Sequence, residues 1–114
     1  MRIGIFTDSY YPQVSGISNS VEILKRSLEE MGNSVYVVAP NEFSNKFSYD
    51  KFNRIIWLPK NKIFKTKLYL SKAMKIIKDE WKLNVIHSQT ELSVGYFSRT
   101  ISRKLKIPIV HTYQ

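Results

Sequence analysis

The sequence has no cysteine among its 114 residues. No disulfide can staple the fold and no thiolate can hold a metal, which fits a reducing compartment. It also lacks any run of about 18 apolar residues, so no helix is expected to span a membrane. The apolar opening, residues 1–7, is too short for the core of a secretory signal, and secretion is not expected. No internal repeat and no low-complexity tract is present. Acidic residues are scarce: nine Asp and Glu stand against eighteen Lys and Arg, a formal net charge of +9. That balance points to anionic partners, whether nucleic acid, anionic lipid or phosphorylated small molecules. The charge is also unevenly placed. Lys60 to Lys82 holds eight lysines against Asp79 and Glu80, a net +6, which leaves +3 for the other 91 residues.

What is present reads as a single domain with a real core. Arg2-Ile3-Gly4-Ile5-Phe6-Thr7 is a short run without polar alternation, the pattern of a strand buried on both faces. A loop punctuated by Pro12 and Gly16 follows. A helix is predicted next, capped at Ser18 or Asn19, with apolar residues at 21, 24, 28 and 31 and a stop at Gly32-Asn33. Ser34–Ala39 is a second strand ended by Pro40, and Arg54–Leu58 a third ended by Pro59. Residues 41–52 read as a loop whose aromatics, Phe43, Phe47, Tyr49 and Phe52, tack it down. Residues 60–82 read as a loop turning into a helix with Leu70, Ala73, Met74, Ile77 and Trp81 on one face. Asn84–Ser88 is a fourth strand, Glu91–Leu105 a helix and Ile107–Tyr113 a fifth strand. Strands alternating with helices imply right-handed crossovers. The expected fold is therefore α/β, a doubly wound parallel sheet in the order 3-2-1-4-5 with helices on both faces. Ligands then gather where loops leave the carboxyl ends of the strands. The last strand pattern runs to the end of the sequence with no helix to cover it, which suggests one part of something larger.

Four blocks carry a resemblance. Met1–Ile17, with Asp8-Ser9-Tyr10-Tyr11-Pro12-Gln13-Val14-Ser15-Gly16, resembles the opening of family 4 glycosyltransferases of GT-B fold. Leu28–Pro40, Val85–Gly95 and Lys104–Tyr113 are similar to three further blocks of that family, in the right order. The bacterial diacylglycerol glucosyltransferase branch matches best. The resemblance implies two Rossmann-like domains across a cleft, the first recognising the acceptor and the second holding the nucleotide-sugar. On that reading residues 1–114 are the acceptor half of a retaining hexosyltransferase. No cofactor or metal is implied, and a UDP-sugar is the donor substrate. The nucleotide-sugar domain lies outside this sequence, and the isolated chain is expected to be inactive.

Site by site, Ser15-Gly16 occupies the place of the family's glycine-rich loop near the donor diphosphate. Glycine there lets backbone approach phosphate oxygens at a helix N-terminus. Relatives often have two glycines, so Ser15 is a departure, and an ordinary loop glycine is the alternative. His87-Ser88-Gln89-Thr90-Glu91 follows the fourth strand, where the family commonly shows histidine, any residue, histidine. Gln89 stands at the second of these. An amide can position sugar hydroxyls but cannot act as a general base. Retaining transfer, with donor phosphate oxygen taking the acceptor proton, tolerates that change, so Gln89 is the candidate at the catalytic step. His87 ends an apolar strand and reads as a structural histidine. Thr90 and Glu91 are acceptor-site candidates, although Glu91 at a helix start is also explained by the helix dipole. Tyr10 and Tyr11 could line an acceptor pocket or anchor the loop. Relatives often carry a histidine at the place of Gln114.

The lysine-rich segment completes the reading. Lys60, Lys62, Lys65 and Lys67 interleave with Ile63 and Phe64, the pattern of a protein lying on an anionic membrane. That fits a lipid acceptor and a cytoplasmic protein held peripherally at the inner face of the plasma membrane. The alternatives are a solvated helix face with a soluble or polysaccharide acceptor, and a flavodoxin-like binding domain, for which the single Asp8 supplies no acidic cluster. A nucleic-acid binder ranks behind both, and no nucleic-acid module is recognisable.

Overall fold

Arg2–Phe6 forms β1, which pairs in parallel with β2 (Ser34–Asn41) on one side and β5 (Val85–Ser88) on the other. The structure is a computed structural model and describes residues 1–8, 10, 16–41, 46–59, 66–89 and 93–111, with backbone alone at 16–19, 66–67 and 93–95. In chain order the remaining elements are α1 (Gly16–Glu30), β3 (Ser48–Asp50), β4 (Ile55–Pro59), α2 (Thr66–Ile76), α3 (Ser93–Leu105) and β6 (Ile109–His111). α2 runs on into a π-helical turn, Ile77–Trp81. The sheet order is β3-β4-β2-β1-β5-β6.

The five parallel strands take the expected order, with β1 inside the sheet. The difference is β3, an antiparallel edge strand inside the stretch read as a loop. A tight turn makes it possible: the Asn53 backbone N–H and side-chain amide both donate to the Asp50 carboxylate, at 3.0 and 2.8 Å, and Arg54 takes a left-handed φ of 60°. Of the aromatics expected to tack this stretch down, Phe47 stacks on Tyr69 and Tyr49 meets Trp81 edge-on, but Phe52 at the turn is 94 % exposed. Phe43 lies outside the described residues.

The pleat divides the core in two. Ile3, Ile5, Val35, Val37 and Ile55 pack beneath Val21, Leu24 and Leu28 of α1. Phe6, Val38, Ile56 and Ile86 pack on the opposite face against Leu70, Ala73, Ile77 and Trp81 of α2 and its π turn, and Phe97 and Ile101 of α3. Each such side chain taken fully out of water contributes about 1.5–3 kcal/mol. Gly4 of β1 faces this second layer, where a Cβ would collide with the Leu83 side chain.

α1 starts one turn before the expected cap, so Ser18 and Asn19 sit inside the helix. Ile17 extends the 21, 24, 28 spacing backwards, and the helix follows that pattern. Its other end stops at Gly32, where φ is 92°. Gly32 N–H donates to Glu29 O and Asn33 N–H to Leu28 O, the two bonds of a Schellman cap. Met31, expected on the apolar stripe, falls in this cap and is exposed.

Candidate functional site at the carboxyl edge of the sheet

Parallel pairing brings the ends of β1 and β5 together, with Phe6 opposite Ser88. The ladder continues one step past both strands: Gln89 N–H donates to Phe6 O at 2.9 Å, and Thr7 N–H donates to Val38 O at 3.1 Å. Thr7 is fully buried. Gln89 is thereby fixed by backbone hydrogen bonding at the edge where ligands of open α/β sheets gather.

His87 and Gln89 are two residues apart in extended chain and share a face of the sheet, the α1 side occupied by Val85 and Ile5. Gln89 Nε2 lies 3.4 Å from His87 Nε2. Burial holds the His87 imidazole below its usual pKa, and in the neutral tautomer protonated at Nδ1 its Nε2 accepts from the amide. That leaves Gln89 Oε1, which is buried and has no hydrogen-bond partner among the described residues. A buried amide oxygen without a donor costs about 1–3 kcal/mol. It is also a ready acceptor for a hydroxyl arriving from outside.

Tyr10 is 4 % exposed, and its ring lies 6.2 Å from that of Trp57 at a tilt of 37°. Its hydroxyl donates to Glu22 Oε2 at 2.9 Å, and Arg26 Nε donates to the other carboxylate oxygen at 3.2 Å. Burial, then the Glu22 bond, raises the phenol pKa well above its usual range. Tyr10 therefore ties the loop after β1 to α1. On the other side of the sheet Ser98 Oγ donates to Ser88 Oγ at 3.2 Å, a buried link from α3 to the end of β5.

Gly16 opens α1 on the same side as Gln89, and no acidic residue stands in the first turn of that helix. Tyr11, Ser15, Lys60, Lys62, Ile63, Phe64, Lys65, Thr90, Glu91 and Gln114 lie outside the described residues, and Lys67 is described by its backbone alone. The Glu22–Arg26 spacing of four was visible in the sequence. The Tyr10–Glu22 bond was not, because nothing local joins residues twelve apart across a loop.

Comparison with known proteins adds the chemistry. The profile described as Glycosyltransferase Family 4 matches residues 14–114. The chain belongs to glycosyltransferase family 4. An alpha-monoglucosyldiacylglycerol synthase of Streptococcus pneumoniae is 41 % identical over 99 % of the chain and 26 % of its own length. One of Acholeplasma laidlawii is 37 % identical over 98 % of the chain and 29 % of its own length. A GDP-mannose-dependent alpha-mannosyltransferase of Corynebacterium glutamicum is 24 % identical over the whole chain. The chain thus spans little more than a quarter of the length of these relatives. Its sheet is Rossmann-like, as expected of a GT-B half.

Proposed function

We propose that the chain is the acceptor-side part of a retaining glycosyltransferase that moves a hexose from a UDP-sugar to a membrane lipid such as diacylglycerol. The observation that carries this reading is the 41 % and 37 % identity, over nearly the whole chain, to two proteins named alpha-monoglucosyldiacylglycerol synthases. In it a second domain, beyond residues 1–114, holds the nucleotide-sugar. The first-loop Ser15-Gly16 and the start of α1 approach the donor diphosphate, where free amides and the helix dipole favour negative charge. Gln89 positions a sugar hydroxyl through Oε1, which has no donor among the described residues. Tyr11, Thr90 and Glu91 line the acceptor side, and Tyr10 ties the loop after β1 to α1 through Glu22.

No helix among the described residues is long and apolar enough to cross a membrane; in this reading the lipid is reached from the surface. Lys60, Lys62, Lys65 and Lys67, with Ile63 and Phe64, would hold the protein there, at the inner face of the plasma membrane. Each lysine near an anionic surface is worth about 1 kcal/mol. Replacing these four with Gln should weaken sedimentation with anionic vesicles steeply and leave neutral vesicles unaffected. Unchanged binding at low salt would show the segment to be a solvated face and would favour a soluble or polysaccharide acceptor.

A further inference from the structure

Val21, Leu24 and Leu28 pack α1 on the sheet. Such contacts are non-directional, and a hydrogen bond adds a fixed direction to them at the carboxyl edge. The Tyr10 hydroxyl donates to Glu22 Oε2 at 2.9 Å, between residues twelve apart in the chain. Tyr10 stands four residues past the end of β1. Glu22 stands six residues past Gly16, about 9 Å along the helix axis. The phenol therefore grips α1 in its second turn and ties it to the chain leaving the central strand.

Tyr10 is buried in the cluster of Val21, Val37, Ala39 and Ile55, beside the Trp57 ring. A phenylalanine has the shape for that place; what the hydroxyl adds is the bond to Glu22. The other carboxylate oxygen accepts from Arg26 Nε at 3.2 Å, so the carboxylate is held from both sides. The two donors are unequal. The Arg26 side chain is 74 % exposed and that of Glu22 31 %, and solvent screens an ion pair of that kind. The phenol bond is part-buried and runs to an ionised acceptor, which strengthens it. It is the main part of the link.

We propose that Tyr10 and Glu22 are positioning residues for sugar transfer: their bond sets where α1 stands against the carboxyl edge that carries Gln89. The inference rests on the transferase reading above, in which the start of α1 approaches the donor diphosphate. A small slide or turn of the helix degrades that approach, because hydrogen bonds weaken steeply with misalignment. Gln89 is held separately, by its backbone bond to Phe6. The link therefore acts on the donor and leaves the acceptor alone. The plainer alternative is a buried phenol that has found a partner for its hydroxyl. That alternative touches stability and not the choice between substrates.

The test uses a transferase that contains this chain, with UDP-glucose as donor and diacylglycerol in vesicles as acceptor, beside a thermal melt of each variant. Tyr10→Phe should raise KM for UDP-glucose about tenfold, the scale of one hydrogen bond to a charged group, with KM for diacylglycerol unchanged. Glu22→Leu should do the same. The Tyr10→Phe, Glu22→Leu double variant should lose no more than either single one, since both remove the same link. Glu22→Gln keeps an oxygen that can accept from the phenol and should stay within about threefold of the parent, on the scale of a weakened bond. Arg26→Ala removes the screened partner and should stay within about twofold. Additive losses in the double variant, or a Tyr10→Phe protein with the parent's KM for UDP-glucose, would overturn the inference and leave the transferase reading standing. So would losses in kcat that follow the melting temperature while both KM values hold, because they show a structural tie alone. A parent that moves no hexose from UDP-glucose to the lipid sinks both.

Discussion

Gln89 carries two claims that pull in opposite directions. Its backbone is locked to Phe6 and its Nε2 is turned to His87, yet its Oε1 is buried without a donor among the described residues. An orphan oxygen of this kind lowers stability in the free protein and gains a partner when a hydroxyl arrives. Gln89→Leu keeps the bulk and removes the orphan, so unfolding by urea should show stability unchanged or raised by about 1–2 kcal/mol. The same change should lower hexose transfer by at least tenfold in a protein that contains this chain. A loss of stability instead would mean that the amide is a structural link. The residue type and its place after a strand were legible in the sequence. The unpartnered oxygen was not, because it depends on how His87 is buried beside it.

At the scale of elements, the strands and their order follow from continuous apolar runs and short crossovers, and these could be read directly. The edge strand β3 could not. Ser48-Tyr49-Asp50 has no apolar alternation of its own, and its place is set from a distance. Trp81 Nε1 donates to Tyr49 Oη at 3.1 Å, and Lys51 reaches Glu80 at 3.8 Å. The π turn that carries Trp81 was equally hidden. It closes with Lys82 N–H on Ile77 O at 2.7 Å, and Arg2 donates to the carbonyls of Glu80 and Trp81. Trp81, 1 % exposed and 4.9 Å from the Tyr36 ring, is the hub of this corner. Trp81→Ala should cost about 3–5 kcal/mol and release β3, read as loss of amide protection at Ser48–Asp50 together with a lower denaturation midpoint. Full protection of β3 in that variant would show that the edge strand holds without the indole.

The whole molecule combines a site side and a charged side. Gln89, His87 and the start of α1 lie on one face of the sheet, and the basic helices α2 and α3 cover the other. The sequence showed one lysine-rich segment. It could not show that Lys104 and Lys106, more than twenty residues further on, would line one groove with Lys78 and Lys82. The most direct measurement of the account is a chimera in which residues 1–114 replace the matching part of the pneumococcal synthase, to which they are 41 % identical. It is assayed with UDP-glucose and diacylglycerol in anionic vesicles, beside the 114-residue chain alone. Glucosyldiacylglycerol from the chimera and none from the chain alone is the predicted result. Turnover of the nucleotide-sugar by the chain alone, or a folded chimera that glucosylates no lipid, would contradict it.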